Sequence, residues 1–252
     1  MEIQDYLEHY LAGKRQQRIA VFEDAASTSI LMHGVKYLCQ HFYHLFDWYC
    51  RWFMLFRLRW TALPSADDVW TRMGKYYADA IDIYHLLWVG VTFLLYLVGW
   101  HLLYDKPSEA KLNWYLWMIP VGVCAYRVFE ILAALVEMYF RDSDTKHHQF
   151  RILLHAGLHY LSAGCAFALF YIFADWGFES FTPKNDDSQF MEWSEPLFNS
   201  MMTIVAFGGY DQPQNWQGKL LTLLELMIGF MLVTFIFLNI TQVWYGSRAQ
   251  RE

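Results

Sequence analysis

Gly208 and Gly209 sit between a short apolar segment and Tyr210-Asp211, in the run S-E-P-L-F-N-S-M-M-T-I-V-A-F-G-G-Y-D-Q-P that begins at Ser194. Glycine lacks a Cβ and holds backbone angles that other residues resist, so such a pair can present carbonyl oxygens to a desolvated cation. The surrounding charges favour the same chemistry. Asp175, Glu179, Asp186, Asp187, Glu192, Glu195 and Asp211 stand against a single cation, Lys184. That density raises the local cation concentration and repels anions. It also makes an ordinary solvated loop, just as Gly-Gly-Tyr-Asp makes an ordinary turn between two helices.

A second set of polar residues lies inside apolar stretches. Arg127 and Glu130 are three apart, on one helical face, and can pair there. Glu225 falls early in the last apolar stretch, where a role in packing against the preceding short helix is expected. His155 and His159 are spaced for one helical face, His147-His148 precede them, and His41 and His44 lie near the N-terminal third. Paired histidines can hold a metal or haem or titrate near neutral pH. They also serve as hydrogen-bonded packing residues, and the groups are too few for a di-iron oxygenase pattern. No metal and no cofactor is expected. The cysteines, Cys39, Cys50, Cys124 and Cys165, show no C-x-x-C spacing and read as small buried apolar residues.

The elements that must position these groups are membrane spans. Apolar residues make up 56% of the 252-residue chain and aromatics 19%, above the usual apolar share of about 45–50%. Four stretches, residues 83–104, 112–140, 152–174 and 220–243, are long enough to cross a bilayer, which takes about 20 apolar residues. Trp100, Tyr104, Trp114, Trp176 and Trp244 lie near their ends, as in an interfacial aromatic belt. The segment from Pro196 to Val205 is apolar but too short to cross. The expected fold is an all-α membrane protein of four transmembrane helices, with a re-entrant pore helix and filter loop before the last. Residues 1–80 form a helical cytosolic or interfacial region, 81–175 a three-span frame, 176–245 a pore domain and 246–252 a tail.

Residues 37–60 are rich in aromatics but interrupted by Gln40, His41, His44, Asp47, Arg51, Arg57 and Arg59. Crossing a bilayer would bury those groups at high cost. An interfacial helix would bury the rings and leave the arginines on lipid phosphates; a packed cytosolic bundle and a fifth span are the alternatives. Residues 1–24 are polar and helix-like, with no cleavable signal peptide, so the first span is expected to direct insertion. The net charge is −6 with no basic tail, which points away from nucleic acid.

The stretch from 194 to 243 resembles the two-helix pore module shared by tetrameric potassium channels and their bacterial relatives. In that family an aromatic-rich pore helix leads through threonines into T-V-G-Y-G-D, and an inner helix with a central glycine follows. Ser200 and Thr203 match the pore-helix serine and a threonine, with Val205 at the helix end. Ala206, Phe207, Gly208, Gly209, Tyr210 and Asp211 fall on the filter, Gly218-Lys219 on the start of the inner helix and Gly229 on its hinge. Ala206 replaces the filter threonine, Gly209 the tyrosine, and Tyr210 the second glycine. The outer filter is therefore expected to be rebuilt and wider, with weak potassium selectivity. No Arg-x-x-Arg voltage-sensing ladder is present.

The resemblance implies a homotetrameric, passive cation channel in a bacterial inner membrane, a plasma-membrane protein whose partners are monovalent cations, lipid and its own copies, with no enzymatic activity. A histidine-liganded metal or haem protein, and a membrane-disrupting effector that keeps a pore-like fold, are the alternatives. Lysine and arginine number nine up to Asp79, three from Arg141 to Arg151 and two after Tyr245, against Lys184 alone between Trp176 and Gln217. This bias places both termini in the cytoplasm. A cysteine reporter near residue 5, with Cys39 and Cys50 replaced, is expected to resist impermeant thiol reagents from outside. Labelling there would mean a fifth span.

Overall fold

The computed structural model describes residues 3–26, 30–59, 66–102, 114–140, 149–178, 181–182, 193–205, 212–213 and 215–248. Among them are seven α-helices: α1 (Ile3–Ala26), α2 (Ile30–Arg59), α3 (Ala66–Trp100), α4 (Trp114–Phe140), α5 (Gln149–Phe178), α6 (Ser194–Ile204) and α7 (Trp216–Arg248). The two-residue strands β1 (Phe181–Thr182) and β2 (Gln212–Pro213) pair antiparallel, Phe181 opposite Pro213 and Thr182 opposite Gln212.

Four helices are long and apolar enough to cross a membrane, over Thr71–Trp100, Met118–Leu135, Arg151–Ala174 and Trp216–Leu238. They coincide with the four apolar stretches of the sequence. The run in α3 begins a dozen residues earlier than expected, because the helix continues unbroken through a polar first half. Its 30 residues extend roughly 45 Å at about 1.5 Å per residue, enough for headgroups as well as hydrocarbon. The 11 residues of α6 reach about 16 Å, half of the hydrocarbon thickness. The long α2 carries Lys36, Asp47, Arg51, Arg57 and Arg59 and lacks the apolar character of the four.

The described chain forms two compact units. The first comprises residues 1–87 and 133–142. Here α1 packs along α2. Leu7 and Leu11 of α1, and Phe46, Cys50, Met54 and Leu58 of α2, recur every four residues and are buried, as are Met73, Ala80 and Tyr84 of α3. That spacing gathers each set on one helical face. Aromatic edges join them: Phe46 lies 5.1 Å from Tyr84 and 6.2 Å from Tyr77, and Tyr10 lies 5.9 Å from Tyr77. Burial raises the pKa of the Tyr10 and Tyr49 phenols, with the Cys50 thiol adding to it at Tyr49, so both stay neutral.

Two arginines of α2 have partners within the protein. Arg51 forms an ion pair with Glu8 of α1. Arg57 reaches Asp79 of α3 at 3.9 Å and lies over the rings of Phe53 and Tyr76. The reason is geometric: neighbouring helices bring carboxylates and aromatic faces within reach of the guanidinium groups. Arg15 of α1 also lies 3.4 Å from His44. The Arg59 side chain lies outside the described residues.

The second unit comprises residues 88–132 and 143–252. Its core gathers Tyr96 of α3, Cys124 of α4 and Ala166, Ala168, Leu169 and Ile172 of α5, with Val128 and Leu197 against them. Helix α5 packs on both α6 and α7, and α6 on α7. Gly164 of α5 lets α6 approach its backbone closely, since a Cβ there would meet the Met201 side chain. Cys50, Cys124 and Cys165 are buried; the Cys39 side chain lies outside the described residues.

Candidate functional site

The polar residues of the second unit converge at two places. The first is the seat of the short helix α6. Glu195 in its first turn complements the positive end of the helix dipole. Ser200 donates to the Gly164 carbonyl of α5 at 2.9 Å and also contacts the Glu225 carboxylate of α7. The Tyr171 hydroxyl donates to the other Glu225 oxygen. Tyr160, on the same face of α5, donates to the Met201 carbonyl at 2.9 Å, and Tyr96 donates to the Trp193 carbonyl just before α6. Thr203 turns back to the Asn199 carbonyl at 2.8 Å. Ser200, Thr203 and Glu225 are all buried.

Two glycines complete this seat. A Cβ at Gly164 would come within 2.6 Å of the Met201 sulfur, and one at Gly229 would overlap the Ile204 backbone. Gly229 thus has a packing reason to lack a side chain, separate from the hinge that the family resemblance implies. Glu225 and Gly229 are one turn apart on α7 and meet Ser200 and Ile204, one turn apart on α6.

Val205 ends α6. The six residues read as a filter, Ala206, Phe207, Gly208, Gly209, Tyr210 and Asp211, lie outside the described residues, as do Glu179, Lys184, Asp186, Asp187 and Glu192. The chain that follows them is anchored by the β1–β2 pair and by Asn215, whose side chain accepts from the Gly218 N–H at 2.9 Å at the start of α7. Helix α7 buries Glu225, Ile228, Leu232 and Phe235 and exposes Leu223, Met227, Phe230, Val233 and Phe237.

The second convergence joins α3, α4 and α5. Arg127 is fully buried and pairs with Glu130 at 2.7 Å. The same guanidinium donates to the Ser162 hydroxyl at 3.2 Å and lies 3.2 Å from His159 Nδ1, while Ser162 lies 3.4 Å from Thr92. The Trp88 ring faces the cation at 5.3 Å. Five donors in a fixed fork suit arginine to this many-partnered burial. The Arg127 guanidinium donates to His159 Nδ1, and among the described residues no three His, Cys, Asp or Glu side chains gather. His155 is buried and His44 exposed; His147 and His148 lie outside the described residues.

Several partners were not singled out from the sequence: Tyr160, Gly164 and Tyr171 around α6, and Thr92, Ser162 and Trp88 around Arg127. A signal was present in part. Tyr160, Gly164 and Tyr171 are spaced by four and seven, one face of α5; His155, His159 and Ser162 are spaced by four and three, on another.

The chain matches no protein-family model, and no curated protein and no solved structure is significantly similar to it. Fold and side chains define an all-helical protein with four membrane-compatible helices and a short helix clamped by buried polar groups.

Two stability outcomes follow. Arg127→Ala leaves Glu130 buried without its cation and is expected to cost about 3–5 kcal/mol, read as a fall in unfolding midpoint in detergent, whereas Arg127→Met with Glu130→Leu recovers much of it. Gly229→Ala is expected to lose about 1–3 kcal/mol by forcing α6 away from α7. Gly90→Ala, where a Cβ meets open space, is the control and leaves the midpoint unchanged or higher.

Proposed function

We propose that this chain is the subunit of a homotetrameric passive cation channel of a bacterial inner membrane. In this reading α7 lines the axis, α3 and α4 frame the outside, both termini are cytoplasmic, and residues 206–211 are the ion-conducting filter. The observation that carries it is the direction and depth of α6. Ser200 meets Glu225 and Ile204 meets Gly229, so α6 runs parallel to α7 and ends beside its middle. Gly229 is 13 residues beyond Trp216, roughly 20 Å along the helix. Between Val205 and Asn215 the chain recovers that depth, well within its extended reach. This supports reading residues 206–214 as a re-entrant loop.

The physics of such a loop then favours conduction. Non-helical backbone at membrane depth is stable where it lines a water-filled cavity. The carboxyl end of α6 carries partial negative charge at the start of Ala206, which favours cations. One pore unit cannot close a pathway alone, and a heterologous contact closes into a ring. The broad apolar face of α7 supplies a surface for neighbouring copies and lipid. With Ala206 in place of threonine and Tyr210 in place of glycine, a stack of four equivalent carbonyl sites is not attainable. Discrimination between potassium and sodium is weak and rests on the Phe207, Gly208 and Gly209 carbonyls and the acidic mouth.

Purified protein in planar bilayers, under potassium, sodium and chloride gradients, is expected to pass cations with little preference between the first two, and native mass measurement to give a tetramer. Gly208→Val is expected to abolish conduction. Asp211→Asn is expected to lower it mainly at low salt, where the mouth field is least screened. A monomer or dimer, chloride flux, strong potassium selectivity, or conduction unaltered by Gly208→Val would overturn this reading.

A further inference from the structure

We infer that the outward face of α2 is a membrane anchor, seated at the boundary between the headgroups and acyl chains of the bilayer that α3 crosses. The inference rests on the reading of α3 as a spanning helix. Tyr37, Leu45, Trp48, Trp52 and Phe56 are between 41% and 72% exposed. Steps of eight, three, four and four residues place them in one stripe along α2. The buried residues Phe46, Cys50, Met54 and Leu58 occupy another face of the same helix. Trp48 and Trp52 meet edge to face at 6.4 Å, so the stripe is ordered by its own rings.

The depth of this stripe follows from where α2 meets α3. Arg72, Lys75, Asp79 and Asp82 punctuate the first half of α3, and from Ile83 to Trp100 it carries no Asp, Glu, Lys or Arg. The hydrocarbon therefore begins near Ile83. Phe46 and Tyr49 of α2 pack on Tyr84 of α3, Phe46 also on Tyr77, and Arg57 on Tyr76 and Asp79. All of these contacts fall within two turns of that boundary. They hold α2 at headgroup level, where tryptophan and tyrosine rings are most stable. Charge agrees: α2 carries Lys36, Arg51, Arg57 and Arg59 against the single acid Asp47, which complements anionic headgroups. Arg51 and Arg57 remain about half exposed despite their ion pairs. The anchoring face is the aromatic stripe.

Spin labels on single introduced cysteines test this in full-length protein, reconstituted in bilayers of phosphatidylethanolamine and phosphatidylglycerol and read against the unsubstituted protein. Trp48→Cys, Trp52→Cys and Phe56→Cys replace exposed side chains, and Leu94→Cys, exposed on the apolar half of α3, reports the span itself. Labels at 48, 52 and 56 are expected to be more accessible to oxygen than to an aqueous nickel chelate, at depths of about 5–10 Å, and the label at 94 deeper still. Dominant nickel accessibility at 48, 52 and 56, with 94 remaining deep, would place α2 in water and overturn the anchor alone. Low accessibility to both reagents would mean that a second copy or another protein surface covers the stripe, and would also overturn it. A water-exposed label at 94 would remove the spanning reading on which the inference rests.

Discussion

A buried hydrogen-bonding group among packed apolar helices must find its partner on another helix, and at α6 this constraint organises the second unit. An 11-residue helix is too short to be stable by itself in water, where roughly 12–15 residues are marginal. Its order comes from outside. Ser200 bonds to α5 and meets the Glu225 carboxyl on α7, and Tyr171 holds the other carboxyl oxygen. Loss of any one partner leaves the others desolvated, a larger penalty than the net value of a single hydrogen bond. The close approach at Gly164 and Gly229 then follows from the need to bring three backbones near enough for these bonds to form.

The Arg127 cluster obeys the same rule with higher stakes. A desolvated guanidinium needs both a counter-charge and several acceptors, and Glu130, Ser162, His159 and the Trp88 face are arrayed around it. Three helices contribute, so the cluster defines their mutual rotation. A merely apolar contact among α3, α4 and α5 would permit sliding by a residue or a turn. The polar partners permit one register.

The N-terminal region shows how composition can be read correctly while a contact is missed. An aromatic, arginine-bearing helix was expected at residues 37–60, and α2 occupies that stretch. Which face meets what depended on neighbours distant in sequence. Glu8 and Asp79 draw in Arg51 and Arg57, and a buried row with a period of four turns towards α1 and α3. The rings of Trp48, Trp52 and Phe56 are left outward.

Helix content, the four membrane-compatible stretches and the short helix before the last were determined by the sequence itself, because length and hydrophobic runs act locally and additively along the chain. So was the Arg127–Glu130 pair, since a spacing of three places both groups on one helical face whatever surrounds them. The tertiary structure alone decided that Glu225 bonds to Ser200 and Tyr171, that Gly229 receives the end of α6, and that Arg127 also engages His159 and Ser162. Each of these joins residues 25 or more positions apart. Helical periodicity states which residues share a face but not which face opposes it, and that pairing exists only once the helices have packed.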